Sequence, residues 1–248
     1  MHPILIKLGP ITIYTYGFFI AAAILLGLAI TSIEAKKKGL NNQLVSELGF
    51  YLVLGALIGA RIFFVIISWD YFLKHPLEIF MFWKGGLVFL GGAIGAALAS
   101  IVFFKKFKQP FWPWVDSMAP GVAIGQAIGR IGCLCAGCCY GKPTSLPWAI
   151  TFTNPDSLAP LFVPLHPTQI YHSLAGLTTF LILIFVKKKL KSGQLFGLLL
   201  ILYAVFRFNI EFFRGDYRGT IGFLSATQVV AIVVFCLGII IFWKRRAK

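Results

Sequence analysis

Apolar residues run through this chain in blocks of about 20, separated by short polar breaks. Seven blocks are long enough to read as membrane-spanning helices, at residues 11–32, 48–68, 87–104, 114–135, 169–186, 194–213 and 221–243. The breaks are not alike. Lys36, Lys37 and Lys38 follow the first block, Lys105, Lys106 and Lys108 the third, and Lys187, Lys188, Lys189 and Lys191 the fifth; Lys244, Arg245, Arg246 and Lys248 follow the seventh. If each block crosses once, these basic clusters share one side, and the positive-inside rule makes that side cytoplasmic. The pattern predicts an all-α integral membrane protein: seven transmembrane helices, N-terminus outside and C-terminus cytoplasmic. It reads as a single transmembrane domain over residues 1–248.

Composition agrees with that reading. Of the 248 residues, 58% are hydrophobic and only 12% are charged, which is far from the balance of a soluble domain. A net charge of +15 would suggest nucleic acid in a soluble protein. Here 14 of the 23 lysines and arginines lie in the four clusters that flank the blocks, so no nucleic-acid partner is expected. A cleaved signal peptide is not expected either, because the first block is long and its lysines follow it. The longest stretch without helical character, residues 140–167, is rich in proline and aromatics and reads as a small external head segment.

Polar residues inside the blocks need a reason, since a charge at membrane depth costs roughly 2.5–3.5 kcal/mol on insertion scales. Arg61, Arg130 and Arg207 fall past the midpoints of the second, fourth and sixth blocks, which the topology carries toward the outer leaflet; Arg214 follows at the end of the sixth. Tyr203, Arg207, Glu211 and Arg214 recur at i, i+4, i+8 and i+11, one helix face on which Glu211 can pair with either arginine. A salt-bridged buttress would explain that face. A pocket for an anionic headgroup explains it better, because guanidinium forks match phosphate oxygens. Gly91, Gly92, Gly95 and Ala96 place small residues where helices can pack closely. Gly129 and Gly132 flank Arg130 and permit close backbone approach.

Four of the five cysteines follow at once: Cys133, Cys135, Cys138 and Cys139. Cys135 and Cys138 have the redox C-x-x-C spacing, and an oxidising outer face lets disulfides persist. Four thiolates would also suit Zn²⁺ or a soft metal. Small buried hydrophobes are the third possibility. Cys236, deep in the last block, reads as packing.

Assembled in order, these segments resemble the bacterial phosphatidylglycerol–prolipoprotein diacylglyceryl transferases over nearly the whole chain. Tyr16-Gly17 resembles the family's early Tyr-Gly, and Gly59-Ala60-Arg61 its second-helix G-x-R. The run GGLVFLGG at 85–92 resembles G-G-x-x-F-H-G-G. Gly129, Arg130, Gly132 and Gly141 keep the frame of G-R-x-G-N-F-x-N-x-E-x-x-G. HPTQIYH at 166–172 resembles H-P-[ST]-Q-L-Y-E, and YAVFRFNIEFFR at 203–214 matches the sixth-helix motif.

The resemblance implies transfer of a diacylglyceryl group from phosphatidylglycerol, or a related anionic phospholipid, to the lipobox cysteine thiol of a lipoprotein precursor. The setting it implies is the outer face of the bacterial plasma membrane, with no cofactor and no assigned metal. Arg130, Arg207, Glu211 and Tyr203 would form the catalytic set. Tyr16, Arg61, Gly132, Gly141, Arg214, His166 and Gln169 would bind substrate. The departures are specific. Leu90 stands where the family has a histidine discussed as the base, Cys133 and Ala136 replace the signature asparagines, Cys138 replaces its glutamate, and His172 replaces the glutamate of the H-P-[ST]-Q motif. If the thiol needs a base, Glu211, His166 or His172 would serve. A divergent paralogue with a thiol-redox or soft-metal function on the same phospholipid-binding scaffold is the alternative.

Overall fold

The computed structural model of the chain describes residues 1–9, 11–81, 85–216 and 219–246. Lys248 of the last basic cluster lies outside the described residues. Helices dominate: α1 (Thr15–Lys37), α2 (Leu44–Ile67), the short α3 (Trp69–Lys74), α4 (Phe89–Lys106), α5 (Phe111–Ala136), α6 (Thr168–Val186), α7 (Gln194–Glu211) and α8 (Ala226–Arg246). Among the described residues, six of them are long and apolar enough to cross a membrane: α1, α2, α5, α6 (extended to Lys189), α7 and α8.

The first and last apolar blocks begin differently from the sequence expectation. Residues 11–14 form strand β2 (Ile11–Tyr14), paired antiparallel with β1 (Ile4–Leu8), and helix begins only at Thr15. The alternating, β-branched ITIY is a strand pattern that a hydropathy window absorbs into the adjoining helix. Likewise 221–225 form a hairpin of β5 (Thr220–Ile221) and β6 (Leu224–Ser225), and α8 starts at Ala226.

The chain divides into two compact units, Met1–Lys38 with Val115–Lys248, and Gly39–Trp114. In the smaller unit, α2 and α4 meet along glycines. A Cβ on Gly95 would lie 2.1 Å from the Gly55 carbonyl oxygen, and one on Gly59 2.3 Å from that of Gly91. The small-residue face of the third block is therefore a helix-packing face, which brings the two backbones into contact.

In the larger unit α5 is the central helix. Gly121 meets Gly27 of α1, where an added Cβ would lie 2.4 Å from the Gly27 carbonyl. Gly176 of α6 meets Ala127, and the Ser173 hydroxyl donates to the Ala127 carbonyl at 2.8 Å. Ala119 and Ala123 pack with Leu183 of α6 and Leu195 and Leu199 of α7 in a buried cluster. Asp116 accepts from the Gly193 and Phe196 amides at 2.6 and 2.9 Å. A buried carboxylate thus caps α7 and complements its helix dipole. Large apolar side chains stay exposed, among them Leu25 at 69%, Ile67 at 69% and Phe185 at 77%. Apolar surface at that density suits a lipid environment rather than water.

Residues 140–167 contain no helix. They form β3 (Ile150–Thr151) and β4 (Pro164–Leu165), closed over a core of Phe152, Ala159 and Leu165.

Candidate functional site

The site forms where α5 ends. Gly132 lets the start of α1 close on it: an added Cβ would lie 2.9 Å from the Phe19 Cβ and 3.3 Å from the Tyr16 carbonyl. Gly137 then turns the chain at φ +77°, a conformation that costs glycine little. Cys139 also takes a positive φ, +61°. The segment after it is stitched on both sides. Gly141 donates to the His166 carbonyl at 3.2 Å, Lys142 to the Phe213 carbonyl at 2.8 Å, and Gly215 to the Tyr140 carbonyl at 3.0 Å. The Thr168 hydroxyl donates to the Cys139 carbonyl at 2.7 Å, and the Gln169 amide to the Cys138 carbonyl at 2.8 Å. The two sequence motifs at 129–141 and 166–172 are therefore one structure, in which the second holds the carbonyls of the first.

Three guanidiniums belong to this region, and their partners differ. Arg207, only 4% exposed, lies 3.0 Å from Glu211 Oε2 through Nη2, an ion pair without an aligned hydrogen bond. Its Nη1 is 2.8 Å from His172 Nε2. Arginine only donates, so that ring nitrogen accepts and the imidazole proton sits on Nδ1. Arg214 is paired with Asp216 through Nε at 2.8 Å and Nη2 at 2.6 Å, while its buried Nη1 has no hydrogen-bond partner. Burial opposes its charge, but Asp216 and the Cys139 sulfur hold its pKa above the ordinary arginine value. Arg130 has no ion pair among the described residues. It lies between two cavities. One is small and of mixed lining, with Gln126, His172, Tyr203 and Arg207 in its wall beside Leu199 and Phe206; the other, of about 200 Å³, is mostly apolar, with Ile131, Leu134, Ile170 and Leu174. A cation without an ion pair, with polar groups on one side and a mostly apolar cavity on the other, suits an amphiphilic anion.

The remaining expected residues take other places. Tyr203 lines the smaller cavity. Tyr16, at the start of α1, is 42% exposed, and its backbone faces Gly132. His166 packs against Phe213 at a tilt, with centroids 5.2 Å apart, and its Nδ1 is 3.3 Å from the Tyr171 hydroxyl. Arg61 belongs to the smaller unit, where Nε donates to the Ile79 carbonyl at 2.9 Å, Nη1 to that of Gly85 at 2.7 Å and Nη2 to that of Glu78. Phe64 and Phe72 cover its guanidinium. There it holds the loop to α2 through three backbone carbonyls.

None of the five cysteines is in a disulfide. Cys133, Cys138 and Cys139 bring their sulfurs within 4.8 Å of one another, a grouping that does not include Cys135. Two residues along a helix is about 200°, so Cys135 leaves α5 on nearly the opposite side from Cys133. Cys133 and Cys138, then Arg214 and Arg130, lower the Cys139 pKa, and Cys133 and Cys139 raise that of Cys138. Sequence reasoning missed two contributors, Asp216 and Ser225, the latter donating to Glu211 Oε1 at 3.1 Å. Both stand just beyond the helical pattern that made Arg207 and Glu211 visible.

The family model described as prolipoprotein diacylglyceryl transferase matches residues 3–244. The phosphatidylglycerol–prolipoprotein diacylglyceryl transferase of Clostridium tetani is 37% identical over 243 residues, covering 98% of this chain and 97% of the relative. That of Trichormus variabilis is 38% identical, over 96% of this chain and 87% of its own length, and that of Geobacillus kaustophilus 37%, over 99% and 93%. With a match that spans the α5 signature, the H-P-T-Q turn and the α7 arginines, this chain belongs to the prolipoprotein diacylglyceryl transferase family.

Proposed function

We propose that this chain transfers a diacylglyceryl group from phosphatidylglycerol to the thiol of a lipobox cysteine in a lipoprotein precursor. The observation that carries this is Arg130, a guanidinium with no ion pair among the described residues, set in the cavity wall with Arg207, Tyr203 and His172. The relatives' names supply the substrate pair.

Transfer joins the acceptor sulfur to the terminal glycerol carbon of the lipid and breaks that carbon's bond to the phosphate oxygen. The electron pair leaves with glycerol phosphate. What the protein must supply is stabilisation of the leaving phosphate, and preorganised guanidiniums in a site screened from water do this without reorganising. Arg130 would take the phosphate directly. Arg207 would be its second donor, held in place by Glu211 and His172. Arg214 would add a buried N–H.

We place the chain in the bacterial plasma membrane with seven crossings, α4 included, N-terminus outside and C-terminus cytoplasmic. The lysine clusters after alternate helices support this orientation. It puts the end of α5 and the segment 140–167 at the outer face, where lipoprotein precursors emerge.

The test is complementation of a strain depleted of its own transferase, followed by mass analysis of a lipoprotein. Rescue with a diacylglyceryl-modified cysteine is expected. Failure with well-inserted protein would reject the reading.

A further inference from the structure

The acceptor thiol must become a thiolate before it can attack carbon. The side chains named as bases are already engaged in this structure. His172 Nε2 accepts from Arg207, Glu211 Oε2 is paired with Arg207 and Oε1 accepts from Ser225, and His166 Nδ1 meets Tyr171. Beside them, within one unit of the protein, stand three thiols that no step in the transfer uses.

Their arrangement is that of a ligand set. A tetrahedral zinc ion with Zn–S bonds of about 2.3 Å has S···S edges of about 3.8 Å. The sulfurs of Cys133, Cys138 and Cys139 already lie within 4.8 Å of one another. The backbone that carries them is fixed from outside the cluster: Gln169 and Thr168 hold the carbonyls of Cys138 and Cys139, and Cys139 itself takes a positive φ. Three thiolates and one Zn²⁺ carry a net charge of −1, opposite in sign to Arg130, which has no ion pair among the described residues. Three protein ligands leave the fourth tetrahedral position open, as in catalytic rather than structural zinc sites.

We propose that Cys133, Cys138 and Cys139 bind a zinc ion whose fourth position takes the acceptor cysteine of the substrate and holds it as a thiolate. The proposal rests on the transferase reading above. On binding, the acceptor S–H loses its proton to water as the sulfur joins the metal, because a coordinating thiol is deprotonated outright. The bound sulfur attacks the glycerol carbon, the carbon–oxygen bond breaks, and glycerol phosphate leaves with the electron pair beside Arg130. The product thioether is neutral, a weaker ligand than the thiolate it replaces, and departs. Nothing is oxidised or reduced.

The experiment uses the full-length protein in phosphatidylglycerol vesicles after thiol reduction. Metal analysis should find one zinc per chain. Cobalt added to chelated protein should give thiolate-to-cobalt absorption, and a lipobox peptide should change that spectrum. Cys133→Ser, Cys138→Ser and Cys139→Ser should each lose the metal, while Cys236→Ser keeps it. Chelation should lower transfer about 100-fold or more, the range of a lost activating group, and zinc should restore it. Reduced protein that binds no zinc or cobalt would overturn the proposal, as would copper(I) filling the site without any response to peptide. Transfer that survives chelation at full rate would also overturn it while leaving the transferase reading intact. Zinc binding without any transfer would reject the transferase reading and, with it, the acceptor role of the metal.

Discussion

His172 Nε2 lies 2.8 Å from Arg207 Nη1, so a buried imidazole serves as hydrogen-bond acceptor to a guanidinium that the cavity also needs. On the other side Glu211 pairs with the same arginine. Arg207 is held by two partners at once, which fixes its fork before any substrate arrives.

Removing one partner should loosen the arginine without removing its charge. His172→Phe should lower transfer by about 10- to 100-fold, the range for lost supporting contacts around a functional ligand. His172→Gln, which keeps an acceptor, should recover part of that loss. Steady-state assays with labelled phosphatidylglycerol and a lipobox peptide separate the two variants.

Arg130 should behave differently, because it has no internal ion pair to maintain among the described residues. Arg130→Ala should reduce transfer by about 10²–10³-fold, the cost of deleting one preorganised donor. Arg130→Lys should not rescue, since an ammonium lacks the fork. Thermal unfolding should barely change for either, which distinguishes a lost phosphate contact from a lost fold.

Gly141 is a packing position rather than a chemical one. A Cβ there would lie 2.5 Å from both the Cβ and the carbonyl oxygen of His166 and 2.9 Å from the Phe213 carbonyl. Gly141→Ala should therefore destabilise the larger unit by about 1–3 kcal/mol, the usual cost of overpacking. A lowered Tm in detergent checks this, and activity should fall with it.

Asp116 caps α7 from α5 through two backbone amides. Asp116→Ala should cost about 1–2 kcal/mol, at the upper end for a lost cap because the amides it serves are buried. The rate of the protein that remains folded should hold, since the cap stands at the opposite end of α7 from Arg207.

The topology makes its own forecast. A fluorescent protein fused after Arg246 should mature in the cytoplasm, and a single cysteine placed between 142 and 163 in a cysteine-free chain should react with membrane-impermeant maleimide from outside. The opposite result at either position would reverse the assignment of sides.

Much of the helical frame was legible because the bilayer imposes one coarse rule, long apolar blocks. The rule fails at short range. Residues 11–14 pair as a strand and 221–225 belong to a hairpin, because hydropathy is blind to the alternation in ITIY and to the turn at Gly222. The face Tyr203, Arg207, Glu211 and Arg214 was legible for the converse reason: helical spacing is regular, and charges stand out against apolar residues.

The sequence by itself determined that this is a chain of apolar helices with basic turns, carrying the motifs of one transferase family and a cysteine-rich replacement inside its signature. Only the tertiary structure decided which groups meet. It joined Cys133, Cys138 and Cys139 and left Cys135 aside, and it spent Arg61 on carbonyls of its own unit while leaving Arg130 without an ion pair among the described residues. The reason is physical. Spacing along a helix fixes the direction in which a side chain leaves the axis, but the turn at Gly137 and the bonds from Thr168 and Gln169 fix where the chain goes next, and those partners lie about 30 residues away.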